Sequence, residues 1–294
     1  MSRTIYRVNH VTRYRYEEPA ALCVNQAHLT PRRTPAQEVV WSDLVIDPVP
    51  DDWSERLDVF GNRTSYFAIE RPHAELTVTA TCLVTRRPLE PGDAARLGWE
   101  AARDAATGVD ERDLVLETPS VPHLDELVRW AGESFRPGRP LLDVVRDLLG
   151  RIGASYAYDP HATSVSTPLD EVVHRRRGVC QDFAHLLLAA LRSHGLPARY
   201  VSGYLETLPP PGEPKLVGAD ASHAWCAVRL ADGTWLDLDP TNDQVAPLHH
   251  VTLAWGRDYR DVAPLQGVVL SASASAQLDV EVDVERIEGG RFAA

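Results

Sequence analysis

The run RRRGVCQDFAHLLLAAL, residues 175 to 191, constrains this chain more than any other stretch. Phe183, Ala184, Leu186, Leu187, Leu188, Ala190 and Leu191 leave little polar surface on any side of a helix wound from it. A helix that is apolar nearly all round has to be enclosed, so the remaining elements must wrap it. Gly195 and Pro197 supply its stop, and its start falls near Gly178–Cys180. Cys180 therefore belongs to the first turn, where backbone N–H groups lack intrahelical acceptors and the helix dipole is positive. Both features favour a thiolate, which suits a nucleophile. The same N–H groups can hold an oxyanion during acyl transfer. An inert, buried thiol is the competing reading of the cysteine taken alone.

The chain is large enough to provide that enclosure, with 294 residues of which 44% are apolar. Against 30 basic residues stand 42 acidic ones, a formal net charge of −12. This balance argues against nucleic acid and anionic membrane as main partners. Arg175, Arg176 and Arg177 read as a solvated turn at the helix entrance. The opening MSRTIYRVNHVTRYRY is polar and alternating and has no apolar core of the secretory type. The longest apolar run, Leu186 to Leu191, is too short to span a bilayer. Cys23, Cys82, Cys180 and Cys226 are widely spaced without a CxxC, which argues against a disulfide framework or a zinc ribbon. A reducing cytoplasm is the expected compartment.

The first ninety residues read as strands. Val8, His10, Thr12, Tyr14 and Tyr16 share one face of an alternating run, and Leu76, Val78, Ala80, Cys82 and Val84 share another. Phe60-Gly61-Asn62 reads as a turn between strands. Residues 1–90 are therefore expected to form an N-terminal β-rich domain. Proline and glycine punctuate residues 91–120 around a short helical patch, Trp99 to Ala106, and mark a connection. Helical spacing resumes at Leu124, Leu127, Val128 and Ala131, and again from Leu141 to Ile152, with Gly138 and Pro140 between. The catalytic core is expected over 121–270. In the C-terminal segment, 271–294, Leu278, Val280, Val282 and Val284 alternate with Asp279, Glu281, Asp283 and Glu285. Its period matches the N-terminal strands, so it is expected to join their sheet.

A nucleophilic thiol needs a base and an acceptor to orient that base. Most of the 11 histidines carry no distinguishing context. His185 lies inside the apolar helix and reads as a core residue; His249 and His250 read as loop. His223 is different, because in SHAWCAVRL the residues Ala224, Cys226, Val228 and Leu230 form one apolar face. His223 and Trp225 share the other, which suits the wall of a cleft. Cys226 falls on the face away from His223, so the pair does not suggest zinc. In TWLDLDPTND, Leu236 and Leu238 point one way and Trp235, Asp237 and Asp239 the other. Periodicity alone leaves Asp237 and Asp239 equal as partners for His223.

The blocks GVCQDFAHLLLAALRSHGLPARYVSGYL, SHAWCAVRL and WLDLDPTND together resemble the transglutaminase-like superfamily. The resemblance implies an α+β fold: a papain-like (transglutaminase-like) cysteine-enzyme core carrying a Cys–His–Asp triad. It assigns Cys180 as nucleophile, His223 as base and Asp239, directly before Pro240, as orienter. The segments YRVNHVTRYRY and DVFGNRTSYF resemble the β-rich N-terminal domain of bacterial members. Tyr158 in YAYDP, Gln181 beside the cysteine and Trp225 beside the histidine are the candidates for substrate or oxyanion contacts. Such a triad attacks a peptide or carboxamide carbonyl through an acyl-thioester, and it requires no metal and no organic cofactor. The partner it implies is a peptide or protein substrate. Peptidase or amidase action is favoured over protein cross-linking, which demands a cleft that excludes water. The alternative is an idle peptide-binding module of the same fold. The long, proline-rich segment 206–222 reads as a rim of the cleft.

The triad makes a demand on the turn at Ala231-Asp232-Gly233. With a two-residue loop, opposed residue numbers would sum to 465, and Asp239 would fall on the apolar face. With a three-residue loop they sum to 464, and Asp239 shares the face of His223. The triad thus predicts an odd loop, closed by Gly233 in the left-handed conformation.

Overall fold

A computed structural model describes residues 3–207, 221–273 and 275–287. Six strands come first: β1 (Thr4–Ala20), β2 (Leu22–Ala27), β3 (Gln37–Asp47), β4 (Asp52–Leu57), β5 (Arg63–Ile69) and β6 (His73–Arg86). Four helices follow: α1 (Trp99–Asp104), α2 (Val109–Asp113), α3 (Asp125–Gly132) and α4 (Leu141–Ser155). Short strand β7 (Ala157–Tyr158), helix α5 (Leu169–Arg175) and short strand β8 (Arg177–Gly178) lead into α6 (Cys180–Arg192). The chain then forms β9 (Ala198–Leu205), β10 (Ala221–Arg229), β11 (Trp235–Asp239), β12 (Gln244–Val245) and β13 (His250–Gly256). It closes with β14 (Leu265–Leu270) and β15 (Ala276–Ile287). None of the described helices is long and apolar enough to cross a membrane.

Two four-stranded antiparallel sheets make the β-rich part, ordered β15-β1-β6-β3 and β14-β2-β5-β4. In the first, Tyr6, Val8, His10, Thr12 and Tyr16 are buried along one face of β1, and Leu76, Val78, Ala80, Cys82 and Val84 along one face of β6. Burial pushes the Cys82 thiol up to about 12, the behaviour of a structural thiol. The last strand, β15, pairs with β1 over its whole length, so both ends of the described chain meet in one sheet. Val282 and Val284 are buried there, whereas Leu278 and Val280 stay about half exposed near the other end. Strand β14 pairs with β2. Residues 265–270, which the sequence reading gave to the core, thus complete the second N-terminal sheet.

The core sheet is antiparallel in the order β12-β11-β10-β9-β13. Helix α6 packs on β9 and β10 and is buried from Gln181 to Arg192, as its composition requires. Cys226 faces it and donates to the Ala184 carbonyl at 3.1 Å. His185 is enclosed, accepts from the Tyr259 N–H at 3.3 Å, and has its pKa pushed down to about 4 by burial.

Buried N-terminal side chains hold the outer strand of the core sheet. Gln37 donates to the Thr252 carbonyl at 2.8 Å and accepts from the Thr252 N–H at 2.9 Å. Asn62 makes the same paired contact with the backbone of Trp255, at 2.8 and 2.9 Å. These amides satisfy backbone groups of β13 that a bare sheet edge would expose.

Candidate active site

Helix α6 begins at Cys180, with Val179 as its extended N-cap. Asp182 reaches back and accepts from the Val179 N–H at 2.9 Å and from Thr163 Oγ1 at 2.6 Å. Gly178 makes room for this carboxylate, since a Cβ there would lie 2.6 Å from Asp182 Oδ2. The carboxylate thereby anchors the chain just ahead of the thiol. An acidic residue at the third helical position was the visible signal for it. Arg175, Arg176 and Arg177 are exposed, and Arg176 ends α5 in the left-handed conformation at φ 54°.

The β10–β11 turn is the odd one. Cys226 faces Leu238, Ala227 faces Asp237 and Val228 faces Leu236, each pair summing to 464. The Gly233 N–H donates to the Leu230 carbonyl at 3.0 Å, Leu230 N–H donates to the Thr234 carbonyl at 2.8 Å, and Gly233 has φ +86°. This register places Asp239 with His223, whose Nε2 lies 2.8 Å from Asp239 Oδ2. The same ring is hydrogen-bonded to Cys180, which leaves Nδ1 for the thiol. Cys180, half-buried, His223 and Asp239 therefore form one hydrogen-bonded array.

Its electrostatics are lopsided. Burial pushes His223 down, but hydrogen bonds to Asp239 and Cys180 and their negative charge outweigh it and raise the ring to about 9. Burial opposes ionisation of Asp239, yet the hydrogen bonds from His223 and His250 hold its carboxyl well below the usual carboxylate range. Asp239 is saturated with donors. Oδ2 accepts from His223, from His250 Nε2 at 2.7 Å and from Asn242 Nδ2 at 2.7 Å. Oδ1 accepts from the backbone of Thr241 at 2.9 Å and of Asn242 at 3.2 Å.

His250 is one residue that sequence reasoning missed. It opens β13 and is 1% exposed, not a loop residue. Burial lowers its pKa despite the neighbouring Asp239, so the ring is neutral and donates from Nε2. No local pattern marks it, because it reaches Asp239 from another strand of the sheet. Asn242 was missed as well, although the DPTND block carries its signal, an Asx residue able to fold back on Asp239. Ligand atoms of His223, Asp239 and His250 lie within 4.8 Å of one another. A metal here would have to displace the two ring protons that these hydrogen bonds use.

The remaining candidates diverge. Tyr158 is 57% exposed and lies near enough to Cys180 for their charges to interact. Gln181 is buried, and its Nε2 donates to the Val165 carbonyl at 3.1 Å. Trp225 does not line a cleft. It is fully buried, packed with Val201 and Ala227, with His250 at 4.9 Å between ring centroids. Strand β10 is covered on both faces, so an alternating pattern did not mean an open one. Gly203, opposite His223, allows the indole in: a Cβ there would lie 2.6 Å from Trp225 and 2.0 Å from the Val251 carbonyl. Segment 208–220, the bulk of the expected cleft rim, lies outside the described residues.

A thiol at the mouth of a buried helix, facing a histidine on an antiparallel sheet, defines a papain-like α+β core. Two family models match the chain: the bacterial transglutaminase-like N-terminal region over residues 6–85, and the transglutaminase-like superfamily core over residues 129–240. The second spans Cys180, His223 and Asp239. An uncharacterized protein of Mycobacterium tuberculosis is 43% identical over 295 residues, covering 97% of this chain and 93% of that one. A protein-glutamine gamma-glutamyltransferase of Pseudomonas aeruginosa is 37% identical over 94 residues, 32% of this chain and 14% of that protein. The crystal structure of a candidate cysteine protease from Cytophaga hutchinsonii shares the fold, with a TM-score of 0.78 at 19% identity over 99% of this chain and 93% of that one. The chain belongs to the transglutaminase-like superfamily, with its β-rich N-terminal region.

Proposed function

We propose that this protein is a cysteine-dependent hydrolase of amide or peptide bonds. The observation that carries the reading is the Cys180–His223–Asp239 array, in which the ring keeps its proton to about pH 9. A protonated ring beside a thiolate is the resting form such chemistry uses. The Cys180 sulfur attacks the carbonyl carbon, forming the C–S bond while charge moves to the oxygen. N–H groups of the first turn of α6 stabilise that oxyanion. His223 protonates the leaving amine as the C–N bond breaks, leaving a thioester. Water then attacks, His223 takes its proton, and the acid leaves as the thiol is restored. Asp239 holds the imidazole and stabilises its charge, and His250 and Asn242 hold Asp239.

Protein cross-linking is the second reading, favoured by the 94-residue likeness to the Pseudomonas glutamyltransferase. It would require an amine to reach the thioester before water does. Trp225 is buried in the sheet packing and contributes no wall to exclude water, so hydrolysis is preferred.

Incubation with a peptide library, with and without a primary amine, followed by product masses separates the two: hydrolysis adds one water, transamidation adds the amine. Cys180→Ala and His223→Ala should each abolish turnover with the fold retained. Brief iodoacetamide exposure should label Cys180 well ahead of Cys23, Cys82 and Cys226. Slow labelling of Cys180 with no product in any library would support the idle binding module instead.

A further inference from the structure

The second face of the core sheet is incompletely filled. Between it and the N-terminal strands lies a cavity of about 540 Å3, in the range of small-molecule sites. Its walls include the indoles of Trp235 and Trp255 and the side chain of Leu89. Away from the exposed rim, two arginines, Arg86 and Arg199, and one aspartate, Asp237, lie among them. Arg199 is held between the indoles, its guanidinium carbon 4.1 Å from one ring centre and 3.5 Å from the other. It is 9% exposed, and its Nε has no partner. Arg86 is 2% exposed; its Nη2 donates to the Pro247 carbonyl at 3.1 Å, while Nε and Nη1 have no partner. Among the described residues, neither arginine closes an ion pair with Asp237. Buried guanidinium nitrogens without acceptors are costly and uncommon.

We propose that this cavity binds a small monocarboxylate with a flat apolar body, its carboxylate on Arg86 and Arg199 and its body against Trp235, Leu236 and Leu89. Guanidinium forks match a carboxylate in geometry as well as charge. Arg86 and Arg199, with Arg32 stacked on Trp255 at 3.4 Å from its ring centre, outnumber the Asp237 carboxylate and make the floor of the site positive, and the apolar walls favour a carboxylate on an apolar body over a phosphate dianion. The other charged lining residues, Arg87, Glu90 and Asp232, are exposed at the rim, where solvent screens them. None of Cys180, His223 and Asp239 lines the cavity, so the site is separate from the proposed chemistry.

Isothermal titration calorimetry of the full chain with 2-naphthoate, 2-naphthamide and inorganic phosphate tests this. Naphthoate should bind saturably at one site, the neutral amide at least tenfold more weakly, and phosphate should neither bind nor compete. Arg199→Met should weaken naphthoate at least tenfold. Leu89→Trp alters an exposed side chain, so it keeps the fold, and it should abolish binding by filling the mouth. Cys180→Ala should bind as wild type, which separates this outcome from the catalytic reading. Equal affinity for the amide, competition by phosphate, absence of naphthoate binding at millimolar concentration, or unchanged binding by Leu89→Trp would each overturn the proposal.

Discussion

Asp239→Asn removes a charge from the site and almost no volume. Asp239 stands ahead of Cys180 among the influences that raise His223, both as hydrogen-bond partner and as charge, and it leads their joint upward push. That push exceeds the net rise from 6.5 to about 9, because burial opposes it. The full rise corresponds to roughly 3 kcal/mol in favour of the protonated ring, at about 1.4 kcal/mol per pH unit. One nearby opposite charge shifts a pKa by about 1–3 units, so losing that of Asp239 brings the ring to roughly 7.5 or below. The protonated fraction then falls about eightfold at pH ~8.5 but hardly at all at pH ~6.5. The sign follows from the direction of the shift. A raised histidine adds stability that is fully present below pH 6.5 and is lost as pH rises through about 9. Long-range proton–nitrogen NMR of the imidazoles reads the titration without any substrate. The His223 midpoint should move from about 9 in the wild type to roughly 7.5 or below in the variant. A wild-type midpoint near 6.5, or a variant midpoint unchanged within a few tenths of a unit, would refute the electrostatic account of the array.

Three further substitutions probe how the fold holds the site. Gly233→Val forces a β-branched residue to φ +86° and should cost roughly 2 kcal/mol in urea denaturation, with lost turnover through the displaced Asp239; wild-type stability would contradict the odd-turn argument. Gly203→Ala places a methyl 2.0 Å from the Val251 carbonyl and 2.6 Å from Trp225. It should destabilise by about 3 kcal/mol and disturb the His223 titration, so a neutral effect on both would show that the sheet yields there. Asp237→Asn should harm turnover far less than Asp239→Asn, because Asp237 faces Arg199 and Arg86 rather than His223; the reverse order in steady-state kinetics would exchange their roles.

Much of this protein was legible before folding, because local rules determined it. The composition of residues 183–191 required an enclosed helix, and the glycine and cysteine before it required a thiol at its mouth. Strand side chains alternate with a strict period of two, so the parity of one loop decides which face Asp239 takes; counting residues reduced the question to that loop, and the triad implied by the resemblance required it to be odd. The alternation of β15 likewise matched the sheet it joins. Tertiary structure decided what depends on contacts between distant segments. His250 comes to Asp239 only because β13 lies beside β9, held there by Gln37 and Asn62 from the N-terminal strands. Trp225 is buried because both faces of β10 are covered, a fact its own alternation cannot express. Arg86 and Arg199 belong to different sheets, and the cavity they share arises from packing. Periodicity reports the surroundings of one segment; which segments become neighbours is settled by the burial of all of them at once.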